Sequence, residues 1–328
     1  MRKASLAVAL LLLAAIPVIA APPAVKDLIA AVPADAQSVV AVDAAKLRAH
    51  PLVQSWLLKQ PAWTGAHDES RLFLQEAGLD PARDVDAMLV AVLPSTKAVA
   101  WFAGRFDEKS LGAAIEKRGG QAFTIGKVTA YHLPESHEHS KGNVVLAFAS
   151  ADLVLLGDEA AVSSALTGAT TGTSIAQAEL AAGHISLDAP FWAVSLVPDT
   201  VRQKAGEAAG KVQGEGAQPI RGVMLAAGTV KRVAAQAFLD EALKFSAVAV
   251  ADTAENAELI RDTVKGALAA ARLHFQEQAP EMVDVLRGVQ VNVSTSVVTV
   301  TGAVPVALLE KILAQVHEHG AQHSNAPI

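Results

Sequence analysis

The chain contains no cysteine, so neither a disulfide framework nor a thiol nucleophile is open to it. Aromatic residues make up 4% of its 328 residues, with a single tyrosine, too few for the stacking platform that binds single-stranded nucleic acid. Basic residues are also scarce. The 27 Lys and Arg stand against 33 Asp and Glu, and a formal net charge of −6 is the wrong sign for binding a phosphate backbone. Beyond the first 21 residues no uncharged apolar run approaches the roughly 20 residues of a membrane-spanning helix. Motifs of nucleophile catalysis and phosphate binding are missing as well: there is no Gly-x-Ser-x-Gly, no Ser-x-x-Lys set, no Walker loop and no Gly-x-Gly-x-x-Gly after a strand. Gly214-Glu215-Gly216 precedes a proline in a loop-like stretch, and His317-Glu318 runs into His319-Gly320 rather than completing a zinc-protease motif. These absences argue against an enzyme, predict no catalytic residues and call for no organic cofactor.

What is abundant is small apolar side chain. The chain is 52% hydrophobic and holds 67 alanines, and its length is sufficient to bury a full core in one large domain or two smaller ones. At the N-terminus Arg2 and Lys3 precede an uncharged stretch with Leu10-Leu11-Leu12-Leu13 at its centre. Pro17 follows, then the small residues Val18 and Ala20 at the positions before a cleavage site. This is the layout of a secretory signal peptide, cut after Ala20. The alternative, an uncleaved anchor, is disfavoured by the short run and its proline. Cleavage would remove two basic residues and no acidic one, taking the net charge from −6 to −8. The expected location is exported, periplasmic or secreted, with no transmembrane segment in the mature chain.

One pattern then recurs. An apolar strand ends at Asp or Pro and a helix follows, as at Asp43, Asp107, Asp158, Asp199, Asp252 and Pro305. An Asp side chain at a helix N-terminus accepts from an orphan backbone N–H and complements the helix dipole. Asp252 with Glu255 reads as a capping box opening a long amphipathic helix over 253–275. Short polar breaks between apolar runs predict hairpins around 94–96, 150–152 and 294–296. Tight hairpins demand antiparallel neighbours, so the fold class is α+β, with antiparallel sheets and helices packed on one face, and two related halves. The organisation expected is a signal peptide over 1–20, a first half over 21–170, a linker over 171–187, a second half over 188–319 and a flexible tail over 320–328. The Gly-rich stretch 206–219 reads as an exposed loop.

Histidine is the anomaly, six of the ten falling in two short segments. His132, His137 and His139 form one, and in extended backbone His137 and His139 share a face with Glu135. Imidazoles so spaced can hold zinc or copper, which makes these three the candidate metal ligands. His317, His319 and His323 form the other, at the C-terminus. The competing reading is a solvated loop and tail that hold no cation, with no second shell visible to fix the rings. Asp84 and Asp86 sit on one face of a strand as a solvated pair, Trp101 and Trp192 read as core, and Trp56 and Trp63 pack between elements.

The run 33–43 (Pro-Ala-Asp-Ala-Gln-Ser-Val-Val-Ala-Val-Asp) with Leu47 and His50-Pro51-Leu52 resembles the opening of a loose group of exported bacterial proteins with no assigned reaction. Gly104-Arg105-Phe106-Asp107 and Val154-Leu155-Leu156-Gly157-Asp158 carry the same resemblance, which spans most of 30–318 and brings no catalytic residue with it. The stretch 291–305 is similar to the strand-turn-strand core of small envelope modules that bind phospholipid. The function expected is therefore an exported, non-catalytic envelope protein that binds a lipid, a peptide or a protein partner through a sheet face or a groove between halves. The alternatives are a periplasmic metal-binding protein using His137 and His139, and an exported hydrolase whose site is assembled from distant residues. No nucleic-acid partner is expected.

Overall fold

The computed structural model describes residues 22–59, 68–94, 97–134, 144–168, 172–212 and 218–314. The signal-peptide segment, His137, His139, Trp63 and the C-terminal histidines lie outside them. The α+β expectation holds: among the described residues all strands join one 12-stranded sheet in which every pairing is antiparallel, in the order β11-β12-β10-β9-β8-β1-β2-β3-β7-β6-β5-β4.

The first half supplies β1 (Ser38–Asp43), β2 (Val85–Val92), β3 (Ala98–Gly104), β4 (Gln121–Ile125), β5 (Val128–His132), β6 (Val144–Ser150) and β7 (Leu153–Asp158). Its helices are α1 (Val25–Leu28), α2 (Ala44–Ala49), α3 (Pro51–Lys59), α4 (Asp68–Glu76), α5 (Pro81–Asp84), α6 (Glu108–Lys117) and α7 (Glu159–Thr167). After α8 (Ile175–Ala181) the second half supplies β8 (Phe191–Leu196), α9 (Asp199–Lys211), α10 (Gln218–Thr229), β9 (Val230–Leu239) and β10 (Ala242–Ala251). Next come α11 (Ala254–Gln278), α12 (Pro280–Gly288), β11 (Gln290–Ser294) and β12 (Val297–Pro305). The halves share a connectivity: β1-β2-β3 then β7 in one matches β8-β9-β10 then β12 in the other, with helices inserted at the same points. They meet where β1 pairs with β8.

The Asp caps hold at three boundaries. Asp43 accepts from Lys46 N–H at 2.9 Å, Asp107 from Ser110 N–H at 3.0 Å and Asp158 from Ala160 N–H at 3.1 Å. Two others shift by one residue. Pro198 is the N-cap of α9, with Asp199 inside the first turn, and Thr253 caps α11 by accepting from Asn256 N–H at 3.1 Å. Asp252 instead accepts from the Asn256 side chain at 2.7 Å.

Described parts of two soft spots of the sequence are helical. The stretch 171–187 holds α8, whose Ile175, Ala176 and Glu179 are buried against the sheet; Ser174 and Gln177 close a reciprocal capping box that starts it. Gly206 lies within α9. Further along, a Cβ on Gly228 of α10 would sit 3.1 Å from Arg202 O, so that glycine serves the close packing of α10 on α9.

One face of the sheet is sealed. Val39, Ala41, Leu89, Ala91, Val99, Trp101, Leu155, Trp192, Val194 and Ala234 point to it, and α1, α7 and α8 close over them. Trp101 and Trp192, 2% and 0% exposed, confirm the core reading, while Trp56 is 41% exposed.

Candidate functional site

The opposite face is covered only in part by the packed clusters. At one end α4 and α6 bring Phe73, Leu111, Ala114 and Ile115 onto Tyr131, Leu146, Phe148 and Val154 of β5, β6 and β7. At the other end α10 and α11 bring Ala226, Ala257, Ile260 and Val264 onto Ala249, Val298, Val291 and Val293 of β10, β12 and β11. The middle of the face lies between these two clusters.

Strand pairing fixes what lines that middle, because residues directly opposite in an antiparallel ladder share a face. Val40 pairs with Val90 and Ala193, and Val42 with Met88 and Phe191. The rows continue to Ala100 and Phe102 on β3 and to Ala235 and Ala237 on β9. All of these keep partial or greater exposure, and Val92, Phe191 and Val233 reach 37%, 37% and 39%. Five strands at about 4.8 Å spacing make an apolar floor roughly 20 Å across.

The floor has one polar pair. Ser38 and Ser195 face each other with hydroxyl oxygens 2.7 Å apart. Ser195 donates to its neighbouring carbonyl, Leu196 O, at 3.0 Å, so Ser38 is the donor across the pair. Beyond them, Val197 N–H donates to Lys231 O, and a register shift between β9 and β10 interrupts the alternation there, with Val230 packed beside Ala251. Lys231 also lines a cleft of about 580 Å³ with Gln37, Arg202, Arg232, Asp252 and Ser296. The Asp252 carboxyl there is held below its ordinary value, chiefly by the Asn256 hydrogen bond, with Lys231 a lesser contributor.

The acids at the end of β2 are met by nearby guanidinium groups. Asp84 is 7% exposed and accepts from Arg83 Nε at 3.0 Å and from Asp80 N–H at 2.9 Å, while Arg105 lies 3.8 Å away. The Arg83 hydrogen bond is the main cause that holds the Asp84 carboxyl low, against the opposing effect of burial. Asp86 pairs with Arg48 and with Arg105 at 3.2 Å. The pair read as solvated in the sequence is thus an ion cluster, assembled because α2 and α5 deliver Arg48 and Arg83 to the end of β2.

Glu179 is 1% exposed. Its Oε2 lies 2.5 Å from His184 Nδ1 and its Oε1 3.2 Å from Arg232. Ser186 N–H donates to Gln236 Oε1 at 2.7 Å close by in sequence. The arrangement ties α8 and its following loop to β9.

Of the candidate metal ligands, His132 ends β5, opposite Gln121, with its ring stacked on Phe123 at 4.2 Å between centroids. His137 and His139 lie outside the described residues, so the set is not brought together in view. Among the described residues no group of three or more His, Asp or Glu side chains gathers as metal ligands would. No helix among them is long and apolar enough to cross a membrane.

A sheet face was expected as a binding surface without residues being named for it, though their signal is in the sequence. Val39-Val40-Ala41-Val42, 87–93, 98–103 and 191–194 are apolar at consecutive positions, the pattern of strands covered on both faces.

No protein-family model matches the chain, and no curated protein does. Among solved structures, crystal form I of TP0453 is similar at a TM-score of 0.48 and 9% identity, over 88% of this chain and 97% of that one. A likeness of that size carries no functional argument.

Proposed function

We propose that this is an exported, non-catalytic envelope protein that holds an apolar partner, a lipid in particular, on the open central face of its sheet. A single observation carries the reading: β1, β2, β3 and β8 are apolar on both faces, yet among the described residues the helix clusters seal only one of them at these strands. Exposed contiguous apolar surface on a soluble protein marks a site of interaction. The helix clusters at both ends give that surface walls, and its floor offers side chains of small and medium size without a row of polar groups. β1 and β8 are interior strands whose backbone groups are spent in the ladder, so an extended peptide cannot add to them as a further strand. Export rests on the Arg2-Lys3 and Leu10–Leu13 pattern together with the small residues before Ala20.

Native mass spectrometry of the mature chain, isolated from its own envelope without added metal, tests this. A mass starting after Ala20 plus a lipid-like adduct of several hundred daltons is expected. A bare chain that takes up no lipid on incubation would refute the reading. An adduct of one transition-metal ion, lost in His137→Ala with His139→Ala, would replace it with the metal-binding alternative.

A further inference from the structure

We infer that the lipid is uncharged and carries a hydroxyl group that it donates to Ser38 Oγ, with its hydrocarbon on the rows through Val40 and Val42; the inference rests on the lipid-binding reading above. The serine hydrogen bonds run in one direction. Ser195 O–H donates to Leu196 O at 3.0 Å and Ser38 O–H donates to Ser195 Oγ at 2.7 Å, so both protons are spent. What the pair has left to offer is lone pairs, which accept from a ligand O–H and repel a carboxylate or phosphate. From Ser38 to Val42 the face runs about 14 Å at 3.4 Å per residue. Across β1, β2, β3, β8 and β9 the rows through Ser38, Val40 and Val42 hold only Ser, Ala, Val, Met and Phe.

Neither end of the floor has a charge left over to select an ion. Beyond the Val42 row Arg48, Arg83 and Arg105 stand with Asp84 and Asp86, and Asp80 adds its charge beside Arg83. At the serine end Lys97 pairs with Asp158 at 3.5 Å, Arg202 with Asp199, and Arg232 with Glu179 at 3.2 Å. Lys231 lines its cleft together with Asp252, which stays charged. Among the described residues, the cations at each end are thus matched by carboxylates. An ionic head would leave water for a floor that returns neither a counter-charge nor, at the serines, a free donor. A wholly apolar ligand would cover Ser38 Oγ with hydrocarbon and take away the hydrogen bond that water gives it. A hydroxyl group avoids both costs.

The test uses the delipidated mature chain and follows binding of decanol, decyl methyl ether, decanoate and decyltrimethylammonium by calorimetry at neutral pH. Wild type is expected to bind decanol about five-fold more tightly than the ether, which has no O–H, and about ten-fold more tightly than either ion. Ser38→Ala is expected to remove the preference for alcohol over ether while leaving ether affinity within about two-fold. Val40→Lys, checked for folding by circular dichroism, is expected to raise decanoate affinity about ten-fold and to lower that for decyltrimethylammonium. Ala193→Lys, on the paired strand, takes its place if Val40→Lys does not fold. Equal binding of decanol and ether by wild type would overturn the hydroxyl contact, and an ion bound as tightly as decanol would overturn the uncharged head; both leave the lipid reading standing. Ion affinities unmoved by a lysine on the floor would overturn the inference and the lipid reading together, since the ligand would then lie elsewhere. Failure of all four ligands to bind wild type would also overturn both. So would a wild-type dimer by light scattering that the lysine variant converts to monomer, assigning the face to a second copy.

Discussion

Neighbouring valines on β1 should respond to the same substitution in opposite ways. Val39 is 0% exposed between Ala91 and Val194, themselves 0% and 2% exposed, whereas Val40 looks onto the open face between Val90 and Ala193. Val39→Ala removes two methyl groups at about 0.8 kcal/mol each and leaves a gap that raises the loss to about 2–3 kcal/mol. Val39→Asp buries a charge without a partner, a penalty of several kcal/mol against a typical total stability of about 5–15 kcal/mol, and the chain is expected not to fold. Val40→Asp exposes its carboxylate to water, so its main penalty is lower strand propensity, about 1 kcal/mol. Urea titrations followed by the fluorescence of Trp101 and Trp192, both on the sealed side, measure the difference. Equal losses at the two positions would mean that the Val40 face is as tightly covered as the Val39 face, and the reasoning for an open site would fail.

Three further outcomes follow from the polar and backbone contacts. Asp84→Asn should lower stability by about 2 kcal/mol at neutral pH, since a buried charged acceptor loses its guanidinium partners. Because the Asp84 carboxyl is held below its ordinary value, its contribution is fully present above the unfolded pKa and is lost as pH falls through the folded one. Acid titration of the variant should therefore lack that part of the decline below about pH 4. Gly104→Ala would place a Cβ 2.0 Å from Asp84 O, and a loss of about 3 kcal/mol in a denaturant titration is expected. Glu179→Ala strands Arg232 beside a vacated pocket; a drop of about 3 kcal/mol, with faster hydrogen exchange in α8 than in α6, is the expected result.

Much of the fold was legible locally. Caps at Asp43, Asp107 and Asp158 depend on one side chain and the next three backbone groups, and hairpins depend on a few turn residues, so short windows carry both. The one-residue shift from Asp252 to Thr253 shows the limit of that logic: both side chains can cap, and Asn256 decided between them by taking the Asp252 carboxylate. The 171–187 stretch defeated composition because its helix is held by what lies beneath it. Ser174 and Gln177 start the turn, and burial of Ile175, Ala176 and Glu179 against the sheet holds it.

The candidate site shows the same division. Alternation along a strand is a property of sequence, and consecutive apolar residues at 39–42, 87–93 and 191–194 already state that both faces of these strands avoid water. Sequence also determined the α+β class, since hairpins next to capped helices permit little else. Which face is sealed is a matter of where the connecting helices land, and that depends on contacts between residues more than a hundred positions apart. Ser38 meets Ser195, Val40 meets Ala193, and Ala235 continues that row only because β1 pairs with β8 and β8 with β9. No local pattern encodes those pairings: they follow from burying Val39, Trp101 and Trp192 under one set of helices, which leaves the reverse side of the same strands facing outward.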